Sequence, residues 1–309
     1  MLVSVLLLFL GLALLIAGGE FIVNSAIAIS KRLHVSPLLI GVTVVSFGTS
    51  APELMVSLQA AINGSSGIAI GNVLGSNIAN IGLVLGFTVL IKPILIQRNK
   101  YIISWMVMFI SSLLFLLFCL DNKIDFYNGL IFVVGLLVFI FLSIKFIDSD
   151  ESNSSEEENV KQQGVLKTIL FFFLGALGLY FGSEFFVQNA VVIAEKLNVP
   201  QFVIGVTIVA LGTSLPELVT SVVAAVRNYN SISIGNLIGS NIFNVFAVLG
   251  ITSLVQPLEV KGVITTDLYI MLSFTIFMGI VLTFRKKISR LHGLILLAGY
   301  LGYVIYSLC

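Results

Sequence analysis

Apolar runs of about 20 residues, long enough to cross a bilayer, recur ten times along this chain, and the short segments between them carry most of its charge. They lie near residues 2–30, 37–62, 68–91, 101–120 and 125–147, and again near 165–194, 201–226, 232–255, 266–284 and 291–308. Four of them, at 37–62, 68–91, 201–226 and 232–255, are interrupted by polar residues at matched places. The pattern predicts an all-α membrane protein of ten transmembrane helices. The first run has no Lys or Arg ahead of it and contains Glu20, so it is expected to stay in place as a span and not to be removed as a signal peptide.

The ten runs are two copies of five. Ile40-Gly-Val-Thr-Val-Val-Ser-Phe-Gly-Thr-Ser-Ala-Pro-Glu53 returns as Ile204-Gly-Val-Thr-Ile-Val-Ala-Leu-Gly-Thr-Ser-Leu-Pro-Glu217. Gly71-Asn-Val-Leu-Gly-Ser-Asn-Ile-Ala-Asn80 returns as Gly235-Asn-Leu-Ile-Gly-Ser-Asn-Ile-Phe-Asn244. The offset is 164 residues throughout, and it also relates Glu20 to Glu184 and Pro93 to Pro257. The expected division is a first five-helix repeat over 1–147, with its core motif at 37–91, and a second over 165–309, with its core motif at 201–255. Between them, 148–164 is acidic and rich in Ser and Asn, which reads as a solvated linker. The run Glu156-Glu-Glu158 belongs to that loop and needs no regulatory role.

Five is odd, so the second copy must enter the membrane from the opposite side. With the N-terminus outside, the inner loops hold 13 of the 16 Lys and Arg residues. Lys and Arg accumulate in cytoplasmic loops, so both termini are expected outside and the acidic linker in the cytoplasm. Inverted repeats place a substrate site near the midplane, where the copies meet.

Composition agrees with this plan. Hydrophobic residues make up 58% of the chain and charged residues 10%, against about 25% charged in soluble domains, and mean hydropathy is +1.11. A net charge of +1 gives no electrostatic footprint for nucleic acid. Cys119 and Cys309 have no ligand-like spacing.

The chemistry lies in the interrupted runs. Glu53 and Glu217 fall midway along apolar spans that contain no Lys or Arg, and a carboxylate there costs about 2.5–3.5 kcal/mol on insertion scales. A cation that comes and goes is the natural compensating partner. Pro52 and Pro216 remove the hydrogen bond to the carbonyl four residues back, at Gly48 and Gly212, so both helices are expected to kink or unwind through Gly-Thr-Ser. Thr49 and Ser50, like Thr213 and Ser214, lie four and three residues before their glutamate, on its face. In the following span Asn72, Ser76 and Asn80 form a polar stripe, repeated by Asn236, Ser240 and Asn244. The alternative role for these stripes is hydrogen bonding between helices, at about 0.6 kcal/mol per bond; the ligand role is preferred here. Oxygen ligands of this kind suit hard cations such as sodium and calcium and not copper or zinc. Glu20 and Glu184 either line a pathway or reach an interface, and His34 and His292 are expected at the membrane boundary.

Gly48-Thr-Ser-Ala-Pro-Glu53 with Gly71-Asn-Val-Leu-Gly-Ser-Asn77, and their counterparts Gly212 to Glu217 and Gly235 to Asn241, resemble the two α-repeats of the cation/calcium exchanger superfamily, most closely of prokaryotic sodium/calcium exchangers. The resemblance covers nearly the full chain. It implies an antiporter in a prokaryotic plasma membrane with calcium and sodium as transported ions, no cofactor and no obligatory protein partner. It implies calcium binding by Glu53 and Glu217 with backbone oxygens of Thr49 and Thr213. Sodium sites would add Ser50, Ser76, Ser214 and Ser240 and the backbone oxygens of Ser46 and Ala210, with Asn80 and Asn244 bordering the centre. The carbonyls assigned this way neighbour those the prolines free, so the resemblance implies wider unwinding. Some family members carry Asp at the position of Asn244; Asn at both matched positions leaves two core carboxylates, which implies electrogenic three-for-one exchange without potassium. The first and sixth spans, which lack the Pro-Glu break, would slide or rock to alternate access. Proton/calcium antiport in the same fold stays open on the residues alone. An enzyme is disfavoured by the lack of a metalloprotease helix or nucleophile elbow, and a channel by the inverted broken helices.

Overall fold

The computed structural model describes residues 2–147, 164–197, 199, 212–260 and 265–308. The helices are α1 (Leu2–Leu33), α2 (Pro37–Ile62), α3 (Ser66–Ile91), α4 (Arg98–Cys119), α5 (Phe126–Ile147), α6 (Val165–Lys196), α7 (Leu215–Val226), α8 (Asn230–Val255), α9 (Thr265–Phe284) and α10 (Arg290–Leu308). Among the described residues, eight are long and apolar enough to cross a membrane; α7 is described over 12 residues and α10 has 19. Nine of the predicted spans are met by helices with ends shifted by a few residues, and the span predicted at 201–226 is described only from Gly212, with its helix over Leu215–Val226. The linker lies outside the described residues except for Gly164.

Four two-residue strands establish the relation between the copies. β1 (Ile94–Leu95) pairs antiparallel with β4 (Lys287–Ile288), and β2 (Lys123–Ile124) with β3 (Leu258–Glu259). Ile94 faces Ile288 and Ile124 faces Leu258. Adding the 164-residue offset to the first-copy residue of one pair and subtracting it from the second-copy residue yields the other pair. Each copy's third connection therefore pairs with the other copy's fourth, which requires both connections on one membrane face. Repeats inserted in the same sense would put them on opposite faces. The fold is thus two inverted-topology five-helix repeats.

Burial sorts the helices into layers. In the most apolar window, 83% of α8 residues are buried and 72% of α3, against 22% in α1, α5 and α6. The polar-interrupted helices form the centre, and the uniformly apolar ones surround it. The outer helices α1 and α6 pack against each other along small residues: a Cβ on Gly18 would lie 2.8 Å from the Gly175 carbonyl oxygen, and one on Gly182 only 2.7 Å from the Leu15 nitrogen. Small residues of this kind allow close backbone approach between helices in lipid.

Among the described residues, three π-helical turns widen the central helices, at Gly41–Val45 in α2, Asn80–Leu85 in α3 and Asn244–Leu249 in α8. The last two are repeat-related and begin at the two asparagines expected to border the site. Such turns often mark functional sites in helices.

Candidate cation site

The two glutamates meet at the centre of the bundle. Glu53 and Glu217 are each 0% exposed. Ser50, one turn before Glu53, donates to Glu217 Oε1 at 3.2 Å. Thr49 donates to Asn236 Oδ1 at 3.1 Å and lies 3.3 Å from Ser240 Oγ. The Ser46 hydroxyl donates to the Gly41 carbonyl at 2.8 Å, with the Asn236 carbonyl 3.0 Å away. Side chains of α2 thus touch α7 and α8 of the opposite repeat.

A set of oxygens at this centre is buried without a hydrogen-bond partner: both oxygens of Glu53, Glu217 Oε2, Ser76 Oγ, Ser214 Oγ, Asn80 Oδ1 and Asn244 Oδ1. A buried polar group left unpaired costs about 1–3 kcal/mol, more when charged. Carboxylate, hydroxyl and amide oxygens are the donor set of a hard cation, so the residues fit such an ion. Of the sequence-derived set, Glu53, Glu217, Thr49, Ser50, Ser46, Ser76, Ser214, Ser240, Asn80 and Asn244 are buried in the central helices, and Thr213 is half-buried beside them. Ala210 lies outside the described residues.

The two proline positions behave differently. At Thr213 and Ser214 the helix is interrupted by a turn, and α7 begins at Leu215 with Pro216 in its first turn, where the missing N–H has no partner to lose. The Gly212 carbonyl accepts from Ser183 of α6 at 2.5 Å. In the first copy the chain stays helical through Gly48, Thr49 and Ser50, with Pro52 inside the helix, and the irregularity lies upstream in the π turn. Unwinding through Gly-Thr-Ser, expected in both copies, is thus found at Thr213–Ser214 and not at Thr49–Ser50. The counterpart of Ser183 is Gly19, which has no hydroxyl to capture a freed Gly48 carbonyl.

The polar stripes divide between the two roles considered. Asn72 bonds across to α2, donating to the Glu53 carbonyl at 3.2 Å and to Ser57 Oγ at 2.9 Å. Asn236 donates to Ser221 Oγ at 3.1 Å, and Ser221 is the repeat counterpart of Ser57. These two asparagines clamp the glutamate-bearing helices, while Ser76, Asn80 and Asn244 keep unpaired oxygens. The sequence reasoning missed Ser57, Ser221 and Asn77, whose Oδ1 accepts from Asn244 Nδ2 at 3.1 Å. Their presence in both copies of the repeat was the available signal.

Glu20 and Glu184 diverge as well. Glu20 forms an ion pair with Arg227, which also bonds Asn24 at 2.7 Å. Glu184 accepts from Gln188 at 3.1 Å and lines a cavity of about 310 Å³ that reaches Pro52, Thr213 and Pro216. His292 Nδ1 accepts from the Ser289 backbone N–H at 3.0 Å.

Two inverted repeats, each placing a carboxylate among oxygen donors at the centre of a helical membrane bundle, define an integral membrane protein of carrier architecture. The sequence matches the family model described as sodium/calcium exchanger protein over residues 3–145 and 167–309. The chain belongs to this family, whose members are exchangers and not enzymes. It is 36% identical to the putative antiporter CaxA of Alkalimonas amylolytica, over 98% of each chain. It is 34% identical to the sodium/calcium exchanger MaX1 of Methanosarcina acetivorans, again over 98% of each. The fold matches a structure of the sodium-calcium exchanger NCX_Mj, soaked with zero Na+ and Ca2+, with a TM-score of 0.86 at 31% identity, over 99% of each chain.

Proposed function

We propose that this protein is a secondary active antiporter that exchanges sodium for calcium by alternating access, electrogenic and independent of potassium. The observation that carries the proposal is the pair of fully buried carboxylates, Glu53 and Glu217, with unpaired oxygens around them and no Lys or Arg in α2 or α7. Whole-chain similarity to MaX1 and NCX_Mj supports the choice of ions.

In this reading calcium binds both carboxylates with backbone oxygens of Thr49 and Thr213. Sodium ions use the same carboxylates with Ser50, Ser76, Ser214 and Ser240 and the backbone oxygens of Ser46 and Ala210, while Asn80 and Asn244 border the centre. The loads share ligands, so one excludes the other, and that exclusion makes the carrier an antiporter. Calcium neutralises the two carboxylates and three sodium ions leave one positive charge, so exchange moves charge. The α1–α6 pair shifts against the central helices to open one side at a time. Both termini face outside and the linker faces the cytoplasm.

The test is radiolabelled calcium uptake into sodium-loaded proteoliposomes with pH clamped, repeated with potassium or protons as the only gradient. Sodium alone should drive uptake. Glu53→Gln and Glu217→Gln should each reduce it at least ~100-fold, since each removes a unit charge in contact with the ion. Wild-type rates in either variant, or uptake driven by the proton gradient alone, would defeat the reading.

A further inference from the structure

We propose that Asn77, outside the ligand set, is a positioning residue that fixes which end of the Asn244 amide meets the transported cations. The Asn77 amide faces two groups that can only accept. Asn77 Nδ2 faces the Asn241 backbone carbonyl at 3.5 Å and Met271 Sδ at 3.7 Å, and neither can donate. Asn77 must therefore turn its NH2 to that side, which leaves its Oδ1 facing Asn244. Asn244 answers with its own NH2, at 3.1 Å. Its Oδ1 is then aimed away from Asn77, fully buried and unpaired. The relay runs from backbone carbonyl to amide to amide and ends on an oxygen suited to a cation. Had the second amide been reversed, its NH2 would face the ions and repel them.

The matched pair is set differently. Asn241, the counterpart of Asn77, donates to Leu237 O of its own helix at 2.8 Å, and Asn80 has both amide atoms unpaired. One central asparagine is preset and the other is free to turn. This rests on the cation-site reading above.

The experiment compares N77L, N77D and the wild type, each alone and in an N244D background. It reads sodium-driven calcium uptake in proteoliposomes and calcium titration of the purified full-length protein in detergent. N77L keeps the shape of asparagine and removes the relay; it should raise half-saturating calcium and sodium about tenfold with little change in maximal rate. N77D keeps an acceptor for Asn244 but loses the donor to the Asn241 carbonyl, so its loss should be smaller than that of N77L. In the N244D background N77L should change affinity less than about twofold, because a carboxylate presents oxygen at both ends. Equal loss in both backgrounds would show a structural role and overturn the assignment, as would unaltered affinity in N77L or an N77D loss as large as that of N77L. If N77L does not give a monodisperse protein, N77A carries the same comparison. A wild type that binds calcium but shows no sodium-driven uptake defeats the antiport reading, while the titration still decides the role of Asn77.

Discussion

Asn244→Asp should move the voltage-sensitive step of the cycle from one half-reaction to the other. Among the described residues, Glu53 and Glu217 are the only buried acidic or basic side chains, so on the proposed exchange the loaded site would carry no net charge with calcium and +1 with three sodium ions. The substitution adds a third carboxylate, giving −1 with calcium and zero with sodium. Charge moved per full cycle is unchanged, but the limb that carries it is exchanged. One elementary charge crossing 100 mV is worth about 2.3 kcal/mol. That is about a 40-fold change in the equilibrium between sides, or about sevenfold in rate if the transition state feels half the field. The assay is calcium–calcium exchange in proteoliposomes with the potential clamped at zero and at 100 mV, at alkaline pH to keep the new carboxylate ionised. The wild type should respond less than about twofold, and N244D several-fold. Voltage-sensitive calcium–calcium exchange in the wild type, or a flat response in both proteins, would refute the charge count.

Two further substitutions test the scaffold. Gly182→Leu places a side chain where even a Cβ would be 2.7 Å from the Leu15 backbone nitrogen; it should slow transport several-fold by prising α6 from α1, while calcium titration of the purified protein stays near wild type. Ser221→Ala removes the acceptor for Asn236 and should lower stability in detergent by about 0.6–1.5 kcal/mol, read as a lower melting temperature, with a smaller loss in calcium affinity than Glu217→Gln.

The sequence carried the duplicated plan and the central carboxylates because both depend on local facts. A bilayer requires apolar runs of fixed length, and a carboxylate inside one is conspicuous wherever it folds. The odd span count made the copies antiparallel, and the exchange of β1–β4 with β2–β3 bears that out. Local signals did not extend to contacts whose geometry depends on the register between opposite repeats. Asn77 lies one residue off the Ser76–Asn80 stripe, and only the crossing of α3 with α8 brings it to Asn244. The π turns also escaped notice, since an extra residue in a helical turn leaves no mark in an apolar pattern. Pro52 and Pro216 look equivalent in sequence because their flanking motifs nearly are; the contrast between Ser183 and Gly19, a helix away, separates them.

These differences between near-identical motifs are of two kinds, and only one kind can be exchanged during transport. Alternating access in an inverted repeat requires each copy to adopt in one state what the other adopts in the opposite state. Asymmetries carried by identical residues are free to swap: the turn at Thr213–Ser214 against the helical Thr49–Ser50, and the Asn244–Asn77 bond against the unpaired Asn80 opposite Asn241. Asymmetries carried by different residues are fixed, as with Ser183 against Gly19 and Arg227 against Asn63. In a structure of the oppositely open state, Asn80 should donate to Asn241 while Asn244 loses its partner, and the helical break should appear at Thr49–Ser50. The Ser183–Gly212 bond should then be lost with no replacement at Gly19, because that position has no donor side chain. Loss of that bond would by itself bias the two end states by roughly 0.5–1.5 kcal/mol, and Ser183→Gly should bring their populations closer. A spin-label distance across the α1–α6 pair and the central helices measures those populations. An unchanged distribution in Ser183→Gly, or a swap of the Asn pairs that fails to occur, would show that the asymmetry is static and not part of the cycle.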